Sequence, residues 1–258
     1  MAGWRRLATV AALLLVAAPT QAATSFADIV DRVRPSVVGI GAFDILGTPP
    51  NALHGTGFVV GNGSLVATNL HVVEAQPAAG RSKSRLVVYV GRGPQAEQRD
   101  AEVVASDTAH DLALLRIAGG ALPALQLDPD QPVREGNGVA FTGFPIGAIL
   151  GLYPVTHRGM VSALTPIATS AARAKDLSRA RIAALRDPYE VIQLDAVAYP
   201  GNSGSPLYRR RDGAVVGIIN QVLVKHTKED MLRDPSAISY AIPVRFLVAL
   251  MATLPAPP

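Results

Sequence analysis

The stretch Pro200-Gly201-Asn202-Ser203-Gly204-Ser205-Pro206 sets a hydroxyl in a tight, glycine-bearing turn. Such a turn exposes the oxygen and lets neighbouring amides converge on one point, the two conditions for nucleophilic attack on an acyl group. Attack on an amide carbonyl builds an oxyanion. The amides of Ser203 and Gly201 are the expected donors to it, each worth about 3 kcal/mol in comparable sites. A side chain at position 201 would obstruct that approach. Taken alone, a Gly-Ser turn is equally at home as a plain connection between strands, so its chemistry depends on partners elsewhere in the chain.

Serine needs a base to take its proton. Of the five histidines, His71 has the best setting, because Ala67-Thr68-Asn69-Leu70-His71-Val72-Val73 ends a β-rich run where an imidazole can be held rigidly. His54, His110, His157 and His226 lack such a setting and are expected at the surface. The imidazole in turn needs an acceptor on its other nitrogen. Asp111 opens the apolar run Leu112-Ala113-Leu114-Leu115 and is the expected partner. Asp107 is a weaker alternative, and Asp195 suits a structural place near the nucleophile turn.

These residues need a rigid frame, and short β-branched runs between Gly, Asn and Pro supply one. The first set is Val37 to Gly41, Gly57 to Val60, Leu65 to Thr68, Leu86 to Val90, Ala101 to Ala105 and Leu112 to Ile117. A Pro, Gly and Asp-rich stretch, Ala118 to Arg134, reads as the link between two lobes. The second set is Gly138 to Thr142, Val155 to Leu164, Val191 to Asp195, Pro206 to Tyr208, Ala214 to Val224 and Ile238 to Ile242. Many short strands of this kind suggest a barrel or sandwich. Ser25-Phe26-Ala27-Asp28 predicts a capped helix start, with Ile29, Val30 and Val33 on one face. Pro243 opens a second helix over 243–252, with Val244, Leu247, Val248 and Met251 at helical spacing, expected to pack on the second lobe. Ala168 to Arg186, rich in Ala and Arg, reads as a helical insertion.

Composition bounds the function. With 49% hydrophobic and 17% charged residues, the chain can bury a core and is not disordered. Residues 1–22 read as a secretory signal: Trp4-Arg5-Arg6, the apolar run Leu7 to Ala18, and a small-x-small site at Thr20-Gln21-Ala22. An apolar run of about a dozen residues is short of the ~20 that cross a bilayer, so export to the periplasm or medium is expected, with no lasting membrane anchor. Loss of that segment halves the formal net charge of +4, too weak a surplus to indicate a nucleic-acid partner. The absence of cysteine excludes disulfides and a thiol nucleophile.

Thr68 to Val73, Asp111 to Leu115 and Gly201 to Pro206 together resemble the triad motifs of the trypsin-like serine protease superfamily, most of all its HtrA/Deg branch. The similarity continues in Gly55-Thr56-Gly57-Phe58-Val59-Val60, Gly159 to Leu164, Gln193 to Ala196 and Tyr240 to Val244, spanning roughly Asp28 to Val248. Chain order agrees: α/β-hydrolases run Ser, acid, His, and Ser205 breaks their G-x-S-x-G pattern. An esterase is therefore disfavoured.

The resemblance implies an all-β fold of two six-stranded antiparallel β-barrels, lobe 1 at about 36–117 and lobe 2 at about 135–242. His71 and Asp111 would come from the first barrel and Ser203 from the second, with the active site in the cleft between them. It implies a serine endopeptidase acting on polypeptides through an acyl-enzyme, with no cofactor and no metal. It also puts Val197, six residues before the nucleophile, at the base of the primary pocket, with Ile218 and Ile219 nearby. No carboxylate stands there, so cleavage after small or medium aliphatic residues is expected rather than after Arg or Lys. Two features depart from the branch: Ser205 replaces a second glycine, and the usual PDZ domain does not follow. A catalytically silent barrel that captures peptides is the alternative from another functional class. Loops in the place of the 168–186 insertion can influence the oxyanion turn in the family, so that insertion is either regulatory or exposed filler.

Overall fold

Strand pairing closes the chain into two barrels. The computed structural model describes residues 24–47, 50–75, 84–146, 151–167, 189–220 and 238–255. The leader expected at 1–22, the insertion expected at 168–186 and His226 lie outside these residues. The first barrel holds β1 (Val37–Phe43), β2 (Asn51–Val60), β3 (Leu65–Asn69), β4 (Arg85–Val90), β5 (Glu97–Asp107) and β6 (Leu112–Ile117), closed in the order β1-β2-β3-β6-β5-β4. The second holds β7 (Gly138–Gly143), β8 (Val155–Pro166), β9 (Glu190–Asp195), β10 (Pro206–Arg209), β11 (Val215–Asn220) and β12 (Ile238–Pro243), closed as β10-β11-β12-β9-β8-β7. Neighbouring strands run antiparallel in both.

Alternate residues of a strand face opposite sides, and several strands here bury both. Val59 and Leu115 fill the first barrel, while their neighbours Phe58 and Leu114 face outward into a core shared with Val215, Ile218 and Ile242 of the second. Phe141, Leu194 and Ile219 fill the second barrel. Burial on both faces is why these strands read as continuous apolar runs. Edges differ: β2 and β5 begin earlier than their apolar patterns suggest, since Asn51, Ala52, Glu97 and Gln98 are exposed or nearly so yet pair with β1 and β4.

Short helices seal the ends. In α1 (Phe26–Val33) the Asp28 amide donates to Ser25 Oγ at 3.2 Å and the Ser25 amide to Asp28 Oδ2 at 2.9 Å, the reciprocal cap read from the sequence. Ile29 and Val33 then pack on Ala140 and Tyr208. The C-terminal helix, numbered α3 here (Val244–Met251), buries Val244, Leu247 and Leu250. It packs in the core between the barrels rather than on the second lobe alone. The connecting segment is stitched to both barrels: the Leu125 amide donates to Val59 O, and the Val215 amide to Gln126 O.

Candidate active site

β3 and β6 pair with Asn69 opposite Leu112, so the residue before β6 lies beside the residues that follow β3. Those residues form α2 (Leu70–Glu74), a five-residue helix that carries His71 on its first turn. Asp111 has a φ of 53°, a left-handed conformation that Asp tolerates better than most residues. Its carbonyl accepts from the Leu70 amide at 3.1 Å and Asn69 Nδ2 at 3.0 Å. Its carboxylate meets His71 twice, at 2.9 Å from the backbone amide to Oδ1 and at 2.6 Å between ring Nδ1 and Oδ2. An ionised carboxylate only accepts, so Nδ1 carries a proton towards it, and in the neutral ring Nε2 is then the nitrogen with the lone pair.

A further donor comes from the other barrel. Asn220, the last residue of β11, gives Nδ2 to Asp111 Oδ2 at 2.8 Å. Sequence reasoning missed it. The available signal was the polar residue that follows directly on the apolar run Val215-Val216-Gly217-Ile218-Ile219, a residue the fold leaves 1% exposed.

Ser203 sits in the turn before β10 and is 5% exposed. Four consecutive carbonyls of this turn are occupied. Pro200 O accepts from the Ile146 amide at 2.6 Å, Asn202 O from the Ser205 amide at 3.0 Å and Ser203 O from the Thr56 amide at 2.9 Å. Gly201 O accepts from Thr56 Oγ1 at 2.7 Å. The amides of Gly201 and Ser203 have no hydrogen-bond partner among the described residues. In a trans peptide the carbonyl and the following amide point opposite ways, so these two N–H groups face away from the contacts that hold Pro200 O and Asn202 O. Position 201 requires glycine: φ is 100°, and a Cβ there would lie 2.3 Å from Phe144 O. The turn also comes close to the helix of His71, since a Cβ on Gly55 would touch Val72 Cγ2 at 2.8 Å and Ser203 O at 3.0 Å.

Among the residues expected around a primary pocket, Val197 is half-buried in a segment pinned by Ser239, whose hydroxyl donates to Ala196 O at 2.7 Å and accepts from the Ala198 amide at 2.9 Å. Ala196 and Ala198 pack on the cluster that contains Ile219. Ile218, on the opposite face of β11, packs in the core between the barrels.

Two histidines expected at the surface have structural surroundings instead. His110 Nδ1 lies 2.6 Å from Asp107 Oδ2, and its ring stacks on Phe246 with centroids 3.7 Å apart. Asp107 also takes the backbone amides of Ala109 and His110, so this carboxylate is committed to its own loop. His157 stacks on Phe141 at 4.8 Å, and burial lowers its pKa, favouring the neutral ring. Burial, then the carboxylates of Asp111 and Asp107, push the Tyr189 phenol upward. Among the described residues no cluster of His, Asp and Glu is arranged to hold a metal ion, and no helix is long and apolar enough to cross a membrane.

The family model of the trypsin-like peptidase domain matches residues 55–218. Serine protease HTRA1 of Xenopus laevis is 34% identical over 222 residues, covering 84% of this chain and 40% of that protein. Mitochondrial serine protease HTRA2 of Bos taurus is 34% identical over 93% of this chain and 46% of its own. A probable periplasmic serine endoprotease, DegP-like, of Halomonas elongata is 30% identical over 74% of this chain and 32% of its own. The chain thus spans less than half the length of these curated relatives. Among solved structures, the HtrA-type protease AlgW with tripeptide superposes with a TM-score of 0.60 at 24% identity, covering 89% of this chain and 63% of that one. At that identity the likeness concerns the fold.

Proposed function

Because the chain belongs to the trypsin-like peptidase family, we propose that it is a serine endopeptidase with Ser203 as nucleophile, His71 as base and Asp111 as the group that orients and stabilises the imidazole. The observation that carries this reading is the 2.6 Å contact between His71 Nδ1 and Asp111 Oδ2, near a serine turn two of whose amides have no partner among the described residues. Nε2 takes the Ser203 proton as Oγ attacks the scissile carbonyl, and the Gly201 and Ser203 amides receive the oxyanion. Collapse breaks the C–N bond, and the imidazolium returns its proton to the leaving amine. Water then attacks the acyl-serine ester by the same route and releases the acid.

Purified protein should take a fluorophosphonate label and cleave casein, and Ser203→Ala should lose both. Casein turnover unchanged in that variant would sink the assignment.

We further propose that substrates are polypeptides cut after small or medium aliphatic residues. Support comes from half-buried Val197 and its alanine neighbours, which offer no charge to an Arg or Lys side chain. A peptide library in which Arg dominates the cleaved position would contradict it. Export is part of the same reading, supported by the basic-apolar leader in the sequence and the periplasmic DegP-like relative. The mature chain is expected to begin near Ala23, and N-terminal sequencing from the producing cell checks it. Retention of the leader would count against export with cleavage.

A further inference from the structure

Thr56 lies in β2 of the first barrel, is fully buried, and reaches into the turn of the second barrel that carries Ser203. Its hydroxyl is used in both directions: it donates to Gly201 O at 2.7 Å and accepts from the Phe144 amide at 3.0 Å. Its backbone amide donates to Ser203 O at 2.9 Å. Its carbonyl accepts from Thr68 Oγ1 at 2.7 Å and leaves no room at Gly204, where a Cβ would lie 2.0 Å away. One residue therefore grips two peptide units of the nucleophile turn, Gly201–Asn202 and Ser203–Gly204.

Gly201 is where such a grip is needed. Its φ of 100° favours glycine, and a residue without Cβ has lower steric barriers against rotation of the adjoining peptides. Hydrogen bonds must hold what sterics do not. Ile146 holds the peptide before Gly201, and Thr56 Oγ1 holds the peptide after it.

Resting on the reading of Ser203 as nucleophile, we propose that Thr56 is a positioning residue of the reaction, its hydroxyl locking the Gly201 peptide to the first barrel so that the Gly201 and Ser203 amides stay aimed at the oxyanion. Removal of the hydroxyl takes this partner from the buried Phe144 amide and from the partly buried Gly201 O, and the turn reorients to satisfy them. Substrate binding along the cleft does not require that hydroxyl, so the defect falls on the chemical step.

The test compares wild type, Thr56→Val, Thr56→Ser and Ser203→Ala as full chains, with kcat and KM on one peptide substrate, affinity for a peptide boronate and thermal melting. Thr56→Val keeps the volume and loses the hydroxyl; it should lower kcat about 100-fold, the scale of a lost oxyanion donor, with KM within about twofold and boronate affinity falling alongside kcat. Thr56→Ser restores the hydroxyl and should bring kcat back to within about fivefold of wild type. If Thr56→Val does not fold, Thr56→Cys takes its place, being close to Ser in size but a weak hydrogen-bonding group. Wild-type kcat and boronate affinity in the folded hydroxyl-free variant, or no rescue by Ser, would overturn the role of Thr56. Turnover persisting in Ser203→Ala would overturn the underlying protease reading, and the role of Thr56 with it.

Discussion

At Asp111, one carboxylate accepts from an imidazole, a backbone amide and a carboxamide, and these donors belong to two barrels. The Asn220 contact fixes the rotamer in which Oδ2 faces His71 Nδ1, which makes Asn220 a positioning residue on the proposed reading. Asn220→Ala is expected to lower kcat about tenfold with little change in KM, the effect of one lost hydrogen bond to a charged group. Unchanged kcat in steady-state assays would show that His71 alone holds the carboxylate. His71, Asp111 and Ser203, the residues of the proposed reaction, were singled out because each residue type stands at the edge of a recognisable run. Asn220 and Thr56 were not, because their partners lie 109 and 145 residues away and a polar residue in or at the end of an apolar run does not reveal that its use is across an interface.

Elements carry these groups through register rather than through their own stability. The β3–β6 register, with Asn69 opposite Leu112, sets α2 beside Asp111, where their hydrogen bonds can form. Twelve strands were foreseeable from β-branched runs between turn residues, but their ends were not where Asn51 or Glu97 pair without being buried. The helix of His71 was also unforeseen, since five residues are too few to show a period.

The segment between the barrels is held by Arg209 of β10, whose guanidinium binds Asp128 at 2.5 Å, Gln131 O at 3.2 Å and Asp212 at 3.1 Å. Its side chain is 7% exposed. Arg209→Ala should destabilise the protein by about 2–3 kcal/mol, the lower end for a broken buried pair because Asp212 stays partly solvated. Denaturant melting checks this, and a loss below about 0.5 kcal/mol, the size of an ordinary surface change, would mark the network as dispensable.

Across the whole molecule, α3 adds to the contacts that join the two barrels by packing in the core they share. Leu247 is fully buried among Phe58, Leu112 and Leu114 of the first barrel and Val215, Ile218 and Ile242 of the second. Leu247→Ala is expected to cost about 3 kcal/mol through lost transfer energy and a cavity, lowering Tm by roughly 6–12 °C. Because the cavity opens between barrels, proteolytic activity should fall at temperatures below the new Tm. Calorimetry alongside an activity-temperature curve would separate the two effects, and coincident losses would argue that α3 contributes stability only.

By itself the sequence determined the β-strand character of the chain and the two-lobed plan, and it put forward the three residues of the proposed reaction, because alternation, turn chemistry and residue type act over a few neighbours. The tertiary structure decided that Ile218 packs between the barrels while Ile219 packs inside one, that His110 belongs to Asp107, and that Thr56 and Asn220 reach across to the site. The packing of Ile218 and the reach of Thr56 and Asn220 depend on how closed barrels face each other, and the last two contacts join residues 145 and 109 apart in the chain. His110 and Asp107 are only three apart, and the turn that pairs them is set by the strands β5 and β6 on either side.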